Sequence, residues 1–209
     1  PTTMFDQLPA NRFLSVQSSS FRPAQIRFDL EGGLRGNFSN SVSWGANFRH
    51  LAASQMPVWI STEPGLIQFA YEDKFQMTGG SVQVVYEQED GFRTGVQFSY
   101  HHFQLQTLEH NFSVPPMKVD LMAGYQWNRK VLVQTRLFVY GKTPLRKNLS
   151  GELVNQDVMI DWNLEANYRV NKRFSIFAEA NNLLNRKYYR WYGFQERPLD
   201  FRAGGIIHF

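Results

Sequence analysis

Strict two-residue alternation between apolar and polar side chains is the feature that most constrains how this chain folds. Between Ile160 and Val170, every even-numbered residue is apolar or aromatic and every odd-numbered residue is polar or charged. Successive side chains of a β-strand point to opposite faces, whereas a helix needs apolar residues at positions i, i+3, i+4 and i+7. The segment is therefore predicted to be a strand with one apolar face and one polar face.

The same pattern recurs along the chain and predicts nine strands. They cover residues 26–38, 42–49, 80–87, 93–100, 118–127, 133–140, 160–170, 174–182 and 201–209. Most are longer than the roughly five or six residues of a typical soluble strand. A tilted strand of about 9–11 residues is what the core of a lipid bilayer requires.

The connections between these strands alternate in length. Short turns are predicted around residues 39–40, 89–91, 128–130 and 171–172, and long loops over residues 51–74, 106–116, 142–156 and 184–199. Short turns at one end and long loops at the other are typical of outer-membrane barrels, whereas Greek-key sandwiches mix connection lengths. The predicted fold is an all-β segment of a transmembrane, antiparallel, up-and-down β-barrel. We expect about nine or ten long strands, with short periplasmic turns and long extracellular loops.

Composition excludes several other classes of protein. The 209 residues contain no cysteine, so disulfides and thiolate metal sites are excluded. No run approaches the roughly 18 apolar residues of a transmembrane helix. The net charge is +4, but the 22 Lys and Arg residues are spread singly, so nucleic acid is not an expected partner.

The polar face is predicted to line a water-filled or plugged lumen, because a charge in hydrocarbon costs several kcal/mol. We expect Asp161 and Glu165 to form ion pairs with Arg136 or Arg169, in a network that Glu179 and Asn181 extend. The two carboxylates lie about 13 Å apart by strand rise, too far for a catalytic dyad. The predicted lumen-facing charged residues are Arg27, Asp29, Glu31, Arg35, Arg49, Asp120, Arg136, Asp161, Glu165, Arg169, Glu179 and Arg202.

The apolar face is predicted to contact lipid and to carry an aromatic girdle, because amphipathic rings favour the membrane interface. The alternative is a soluble β-protein with these rings in its core. The predicted girdle consists of Phe38, Trp44, Tyr125, Trp127, Trp162, Tyr168 and Phe209. The last strand carries Phe201, Ile207 and Phe209 at alternating positions, which resembles the assembly signal of bacterial outer-membrane proteins.

Catalysis, metal binding and cofactors are not expected. His101 and His102 are adjacent, so in a strand they point to opposite faces and cannot chelate together. The other His residues have no ligand partner at a useful spacing, and no phosphate loop or Ser/His/Asp order is present. An outer-membrane protease is disfavoured because the His residues do not converge.

The last third of the chain resembles TonB-dependent receptors. Residues 178–189 contain Asn182-Leu183-Leu184-Asn185 followed by Tyr188, similar to the family's "NLxNxxY" segment. Phe21-Arg22-Pro23-Ala24 resembles its "LxPE" element. The sequences of these segments are most similar to those of receptors from Bacteroidetes-type bacteria. The resemblance implies an outer-membrane location, energised nutrient uptake driven by a TonB-type transducer through a plug, and folding by the barrel-assembly machinery.

Two departures from that family shape the expected organisation. The family barrel has 22 strands and an N-terminal plug, whereas this chain shows about nine strands, no plug, no coupling box and no signal peptide. We therefore expect residues 1–209 to be a single barrel segment, the C-terminal portion of a larger barrel. The alternative is a small independent barrel of ten strands, in which residues 11–20 form the first strand.

The long loops are the expected place for recognition. The candidates for contact with a ligand, a protein or a surface lipoprotein are Trp59, Tyr188, Tyr189, Arg190, Trp191, Tyr192 and Phe194. The favoured interpretation is that these side chains pack loop on loop and form the upper girdle. The alternative function is a non-transporting structural or docking barrel subunit of an envelope or secretion assembly.

Overall fold

A computed structural model describes residues 15–16, 23–63, 66–110, 114–147, 152–191 and 194–207. The described residues contain no helix that is long and apolar enough to cross a membrane. Their strands are β1 (Ser15–Val16), β2 (Gln25–Asn37), β3 (Val42–Ser54), β4 (Met56–Glu63), β5 (Leu66–Glu72), β6 (Phe75–Glu87), β7 (Phe92–Leu105), β8 (Met117–Trp127), β9 (Val131–Tyr140), β10 (Thr143–Lys147), β11 (Leu153–Gln156), β12 (Met159–Arg169), β13 (Phe174–Asn181), β14 (Tyr189–Trp191), β15 (Phe194–Gln195) and β16 (Asp200–Ile207).

One antiparallel sheet dominates this part of the chain. Its order is β16-β13-β12-β9-β8-β7-β6-β3-β2, so its nine strands follow one another as an up-and-down meander. Short turns join β2 to β3, β6 to β7, β8 to β9 and β12 to β13. The predicted fold class, the nine alternating strands and the four short turns are therefore confirmed.

The long connections contain strands of their own, which the alternation did not predict. Residues 51–74 hold the end of β3 and the β4–β5 hairpin, and later loops hold the β10–β11 and β14–β15 hairpins. Each of these hairpins has a register shift. Apolar residues in the first hairpin also run consecutively, as in Val58-Trp59-Ile60. A two-residue pattern therefore could not reveal them.

The alternative with residues 11–20 as a first barrel strand is not supported where the structure describes that segment. Ser15 and Val16 pair in parallel with Leu66 and Ile67 of β5, not with β2. The other residues of 11–20 lie outside the described ranges.

The sheet is open and strongly staggered. Its outermost strands, β2 and β16, each pair on one edge only within the described ranges. One row of register partners begins three residues before the end of β2, close to the first short turn, and ends at the second residue of β12, beside the loops. That row is Leu34, Ala46, Val82, Phe98, Val119, Val139 and Ile160. Such a stagger is expected of tilted barrel strands.

One face of the sheet presents large apolar side chains to its surroundings. Leu34 is 73 % exposed, Phe201 70 % and Trp127 63 %. The main buried apolar cluster of the described residues is small and lies at the loop end of the sheet. A soluble monomer does not leave so large a contiguous apolar surface in water. The exposed face therefore requires an apolar environment.

Candidate functional site

The polar face of the sheet is built by its register. Asp161 lies opposite Phe138, which lies opposite Asp120, so the two carboxylates flank one aromatic ring. In another row, Glu165 lies opposite Glu179, and Glu179 lies opposite Arg202. The alternation brings these predicted residues onto one surface although they belong to different strands.

Ion pairs on this face connect diagonal neighbours on adjacent strands, or residues two apart on one strand. Arg49 donates to both carboxylate oxygens of Asp29, with Nε–Oδ1 at 2.9 Å and Nη2–Oδ2 at 2.8 Å. Arg136 Nη2 lies 3.6 Å from Asp120 Oδ2, and Arg202 Nε lies 2.8 Å from Asp200 Oδ2. Exposed pairs of this kind contribute about 0–1 kcal/mol each. They organise the surface more than they stabilise the fold.

The predicted pairing of Asp161 and Glu165 with Arg136 or Arg169 is not formed. Arg136 is diagonal to both Asp120 and Asp161, and it pairs with Asp120. Glu165 accepts a hydrogen bond from Asn167 on its own strand. A sequence places these groups on one face, but the choice between two diagonal carboxylates depends on side-chain conformation.

The other predicted charged residues of β2 are placed by its pairing with β3. Arg27 falls at a register shift between Ile26 and Phe28, and its Nε donates to Ser54 Oγ at 3.3 Å. Arg27 therefore departs from the strict alternation predicted for its strand. Glu31 lies opposite Arg49, and Arg35 lies opposite Gly45.

The middle of the polar face has unused capacity to accept hydrogen bonds. Asp120 Oδ1 and Asp161 Oδ1 are inaccessible to solvent and have no hydrogen-bond partner among the described residues. Between them, the Phe138 ring lies 4.7 Å from Lys118 Nζ and 5.5 Å from the Arg136 guanidinium carbon. A buried acceptor without a donor costs about 1–3 kcal/mol. The two oxygens therefore mark a part of the polar face whose hydrogen bonding is incomplete.

The polar face becomes apolar at its loop end. Leu51 and Phe75 share its register but are buried, and they pack with Ala53 and with Val58 of the β4–β5 hairpin. Leu108, from the loop after β7, packs against the same cluster. The hairpin therefore folds over the polar face of the sheet and does not extend away from the sheet.

A buried carboxylate joins two of these loops. Glu72, at the end of β5, is fully buried. Its Oε1 accepts from Gln106 N at 2.7 Å and Thr107 N at 2.9 Å, and its Oε2 accepts from Leu108 N at 2.9 Å. Burial raises the pKa of Glu72, but these bonds and one from Lys74 N outweigh it and hold the pKa below its ordinary value. The sequence around Glu72 contains no motif that predicts binding of its carboxylate to the backbone of a distant loop.

The asparagines of the "NLxNxxY" segment organise the loop before the last strand. Asn182 is buried, with a φ of 51°, and its Oδ1 accepts from Arg186 N at 3.1 Å. Its Nδ2 donates to the carbonyl oxygens of Arg186 and Arg197, both at 3.0 Å. Asn185 Oδ1 accepts from Leu199 N at 3.1 Å. The motif therefore has a structural role at the loop rather than a ligand role.

Replacing Asn182 by Ala is expected to loosen this loop by about 1–3 kcal/mol. The change leaves backbone groups of Arg186 and Arg197 unsatisfied, and Ala tolerates a positive φ less well than Asn. Hydrogen exchange and limited proteolysis of residues 183–199 in the full-length protein measure the effect. Asn40→Ala, at an exposed turn residue, is the control. Equal proteolysis of the two variants would contradict the assigned role.

The loop residues predicted for ligand or partner contact are divided between two places. Tyr189, Arg190, Trp191 and Phe194 belong to the β14–β15 hairpin, and Trp59 lies on β4 opposite Phe69. Tyr188 is buried, whereas Tyr189 is 39 % exposed and its backbone N–H donates to Gln156 Oε1 at 3.0 Å. Tyr192 lies outside the described residues. Tyr188 thus follows the loop-packing interpretation, and Tyr189 is presented to the outside.

Most of the predicted girdle lies near the short-turn end of the apolar face. Phe38 is 73 % exposed and stacks on Trp44 with centroids 5.9 Å apart. Trp162 instead lies near the loop end of β12, where its Nε1 donates to Thr135 Oγ1 at 2.7 Å. Of the predicted assembly signal, Phe201 and Ile207 are exposed on β16, and Phe209 lies outside the described residues.

The described residues contain no group of three or more His, Asp or Glu side chains placed to hold a metal ion. The candidate site consists of a polar sheet face, an apolar patch at its loop end, and interlocked loops.

No protein-family model and no curated protein matches the sequence. Solved structures do match. The pyoverdine outer membrane receptor FpvA from Pseudomonas aeruginosa is 16 % identical with a TM-score of 0.64, and the copper transporter OprC is 14 % identical with a TM-score of 0.68. The FrpB iron transporter from Neisseria meningitidis is 12 % identical, also with a TM-score of 0.68. The fold is that of an outer-membrane β-barrel segment.

The barrel segment aligns along most of its own length but with a minor part of each neighbour. The alignments cover 87 %, 87 % and 93 % of this chain, and 29 %, 31 % and 32 % of FpvA, OprC and FrpB respectively. These neighbours are receptors and transporters. At such low identities the likeness shows the fold, and the pyoverdine, copper and iron belong to the neighbours.

Proposed function

We propose that this barrel segment is the C-terminal part of the wall of a TonB-dependent receptor in the outer membrane. The receptor takes up a nutrient such as a siderophore, a glycan or a peptide, and a TonB-type transducer supplies the energy through a plug. The observation that carries the proposal is the nine-stranded meander, with an exposed apolar face and a charged opposite face. The sequence resemblance over residues 178–189 supports the TonB-dependent class and a Bacteroidetes-like source.

The proposal gives each surface a role. The apolar face contacts lipid, and the charged face lines the lumen, where the exposed side chains of Arg49, Arg136 and Arg202 meet water or the plug. The loops, including the β14–β15 hairpin, contact the ligand or a surface lipoprotein. Strands beyond β2 and β16 close the barrel, because an unpaired edge in hydrocarbon leaves backbone groups unsatisfied. The barrel-assembly machinery inserts the completed chain.

The test is made on the polypeptide as it occurs in its source membrane. Its intact mass is expected to be several times the 24.4 kDa of this chain, and it is expected to bind the periplasmic domain of a TonB-type transducer. A large polypeptide that binds the transducer supports uptake. A polypeptide near 24.4 kDa that does not bind it contradicts the transport proposal and favours the docking-barrel alternative.

A further inference from the structure

Charge is segregated among the four short turns at one rim of the sheet. The first turn, residues 38–41, carries no charged side chain, and the second carries Glu89 and Asp90. The third and fourth turns, residues 128–130 and 170–173, contain no carboxylate. Their cations are Arg129, Lys130, Lys172 and Arg173. We refer to these four residues as the basic rim.

The two turns of the basic rim are fixed side by side. β9 pairs with β12, and Arg169 N, at the end of β12 next to the fourth turn, donates to Lys130 O in the third turn at 2.7 Å. Within the fourth turn, Asn171 Oδ1 accepts from Arg173 N at 2.8 Å and from Phe174 N at 2.9 Å. The adjacent turns therefore place these four residues at one part of the rim.

The basic rim has no counter-charge of its own. All four side chains are exposed, and the ion pairs of the described part of the chain involve other cations. Like charges held close together repel each other, so their proximity favours an anion from outside.

An aromatic belt borders the basic rim on the apolar face. Trp127 is 63 % exposed, Tyr125 42 %, Tyr168 41 % and Phe174 37 %. Trp and Tyr at this position lie at the level of lipid headgroups. The cations just beyond them then lie at the level of the headgroup phosphates.

We propose that the basic rim binds the phosphates of anionic phospholipids, such as phosphatidylglycerol or cardiolipin, in the membrane leaflet at this end of the barrel. Lys and Arg are both suited to phosphate, and clustered cations next to a membrane attract anionic lipid. The neighbouring acidic turn repels the same headgroups, so the site is local and not a uniform ring. The inference rests on the proposed membrane barrel.

The test uses the full-length protein inserted into two kinds of vesicle. One contains phosphatidylethanolamine and phosphatidylglycerol, and the other has phosphatidylcholine in place of the phosphatidylglycerol. After mild detergent extraction, lipid mass spectrometry measures the phosphatidylglycerol that stays bound. The preference is the amount of phosphatidylglycerol retained from the first vesicle divided by the amount of phosphatidylcholine retained from the second. Each cation is expected to raise this ratio on the order of fivefold. Replacing all four by Gln is expected to reduce retention at least tenfold, and added salt is expected to reduce it in the wild type.

A matched control removes the same number of charges at the opposite, loop end of the barrel. Its substitutions are Lys74→Gln, Lys142→Gln, Arg186→Gln and Lys187→Gln, all at exposed residues. Retention by the control like that of the wild type supports the site. Equal retention by the basic-rim variant and the wild type, or equal loss in both variants, overturns it. Failure of the wild type to insert into either vesicle contradicts the proposed barrel instead.

Discussion

Replacing Leu164 by Arg is expected to destabilise the barrel by about 2–4 kcal/mol. Leu164 lies in the middle of β12, on the apolar face, and is 41 % exposed. In a membrane this side chain contacts hydrocarbon, and a guanidinium near the bilayer midplane costs about that much. The measurement is equilibrium unfolding by urea of the full-length protein in phosphatidylcholine vesicles.

The matched control places the same charge on the polar face. Gln134 lies on β9, opposite Glu165, and its side chain is exposed. Gln134→Arg is expected to change stability by less than about 1 kcal/mol, since the new cation meets water and a carboxylate. Asn163 is a poorer control, because its Oδ1 accepts a hydrogen bond from Asn182 N. The free energy of unfolding of Leu164→Ala measures the loss of packing alone, so its difference from Leu164→Arg gives the cost of the charge. Equal costs for Leu164→Arg and Gln134→Arg would refute the assignment of the two faces.

Replacing Glu72 by Gln is expected to release the loop after β7 from the β4–β5 hairpin. Gln offers one acceptor oxygen and turns a donor toward backbone N–H groups, so the loss is about 2–3 kcal/mol of local stability. Amide hydrogen exchange at Gln106, Thr107 and Leu108 is then expected to be on the order of 30-fold faster or more. Glu89→Gln, at an exposed turn, is the control. Unchanged protection at the three amides would show that Glu72 does not hold the loop.

The same contact predicts a pH dependence with a defined sign. The pKa of Glu72 is below its ordinary value in the folded protein, because backbone donors favour the charged carboxylate. Its stabilising contribution is therefore complete above the ordinary glutamate pKa and is lost as the pH falls through the lower, folded pKa. Protection of the three amides, measured relative to the intrinsic exchange rate at each pH, is expected to fall over that acidic interval in the wild type. In Glu72→Gln this fall is expected to be absent.

The sequence predicted the wall of the barrel well and the loops poorly, for a physical reason. The strand from Ile160 to Val170 was predictable because a lipid-facing residue must alternate with a lumen-facing one. The β4–β5 hairpin has no such constraint, since Val58 packs against Leu51 and Phe75 and does not face lipid. The burial of Leu51 and Phe75 at the loop end of the polar face is caused by that hairpin. This burial could not be predicted because the hairpin itself was not predicted.

The candidate site divides in the same way. Register fixes which charged residues share a face, so that the common surface of Glu165, Glu179 and Arg202 follows from alternation and strand order. The pairing of Arg136 with Asp120 depends on side-chain rotamers. The hydrogen bonds of Glu72 depend on contact between two loops that are far apart in the sequence. The Asn182 contacts were marked by the family resemblance, but their structural role is visible only in the three side-chain bonds.

The stagger of the sheet has a mechanical consequence. β6 and β7 are joined by register pairs from Phe75 and Leu105 at one end to Glu87 and Arg93 at the other. Because the strands are tilted, a pull along the pore axis acts partly along each strand and tends to slide it past its neighbour. Sliding has to break the bonds of such a ladder together, whereas peeling an edge breaks them one after another. A wall built in this way resists a change of shape when force acts along that axis.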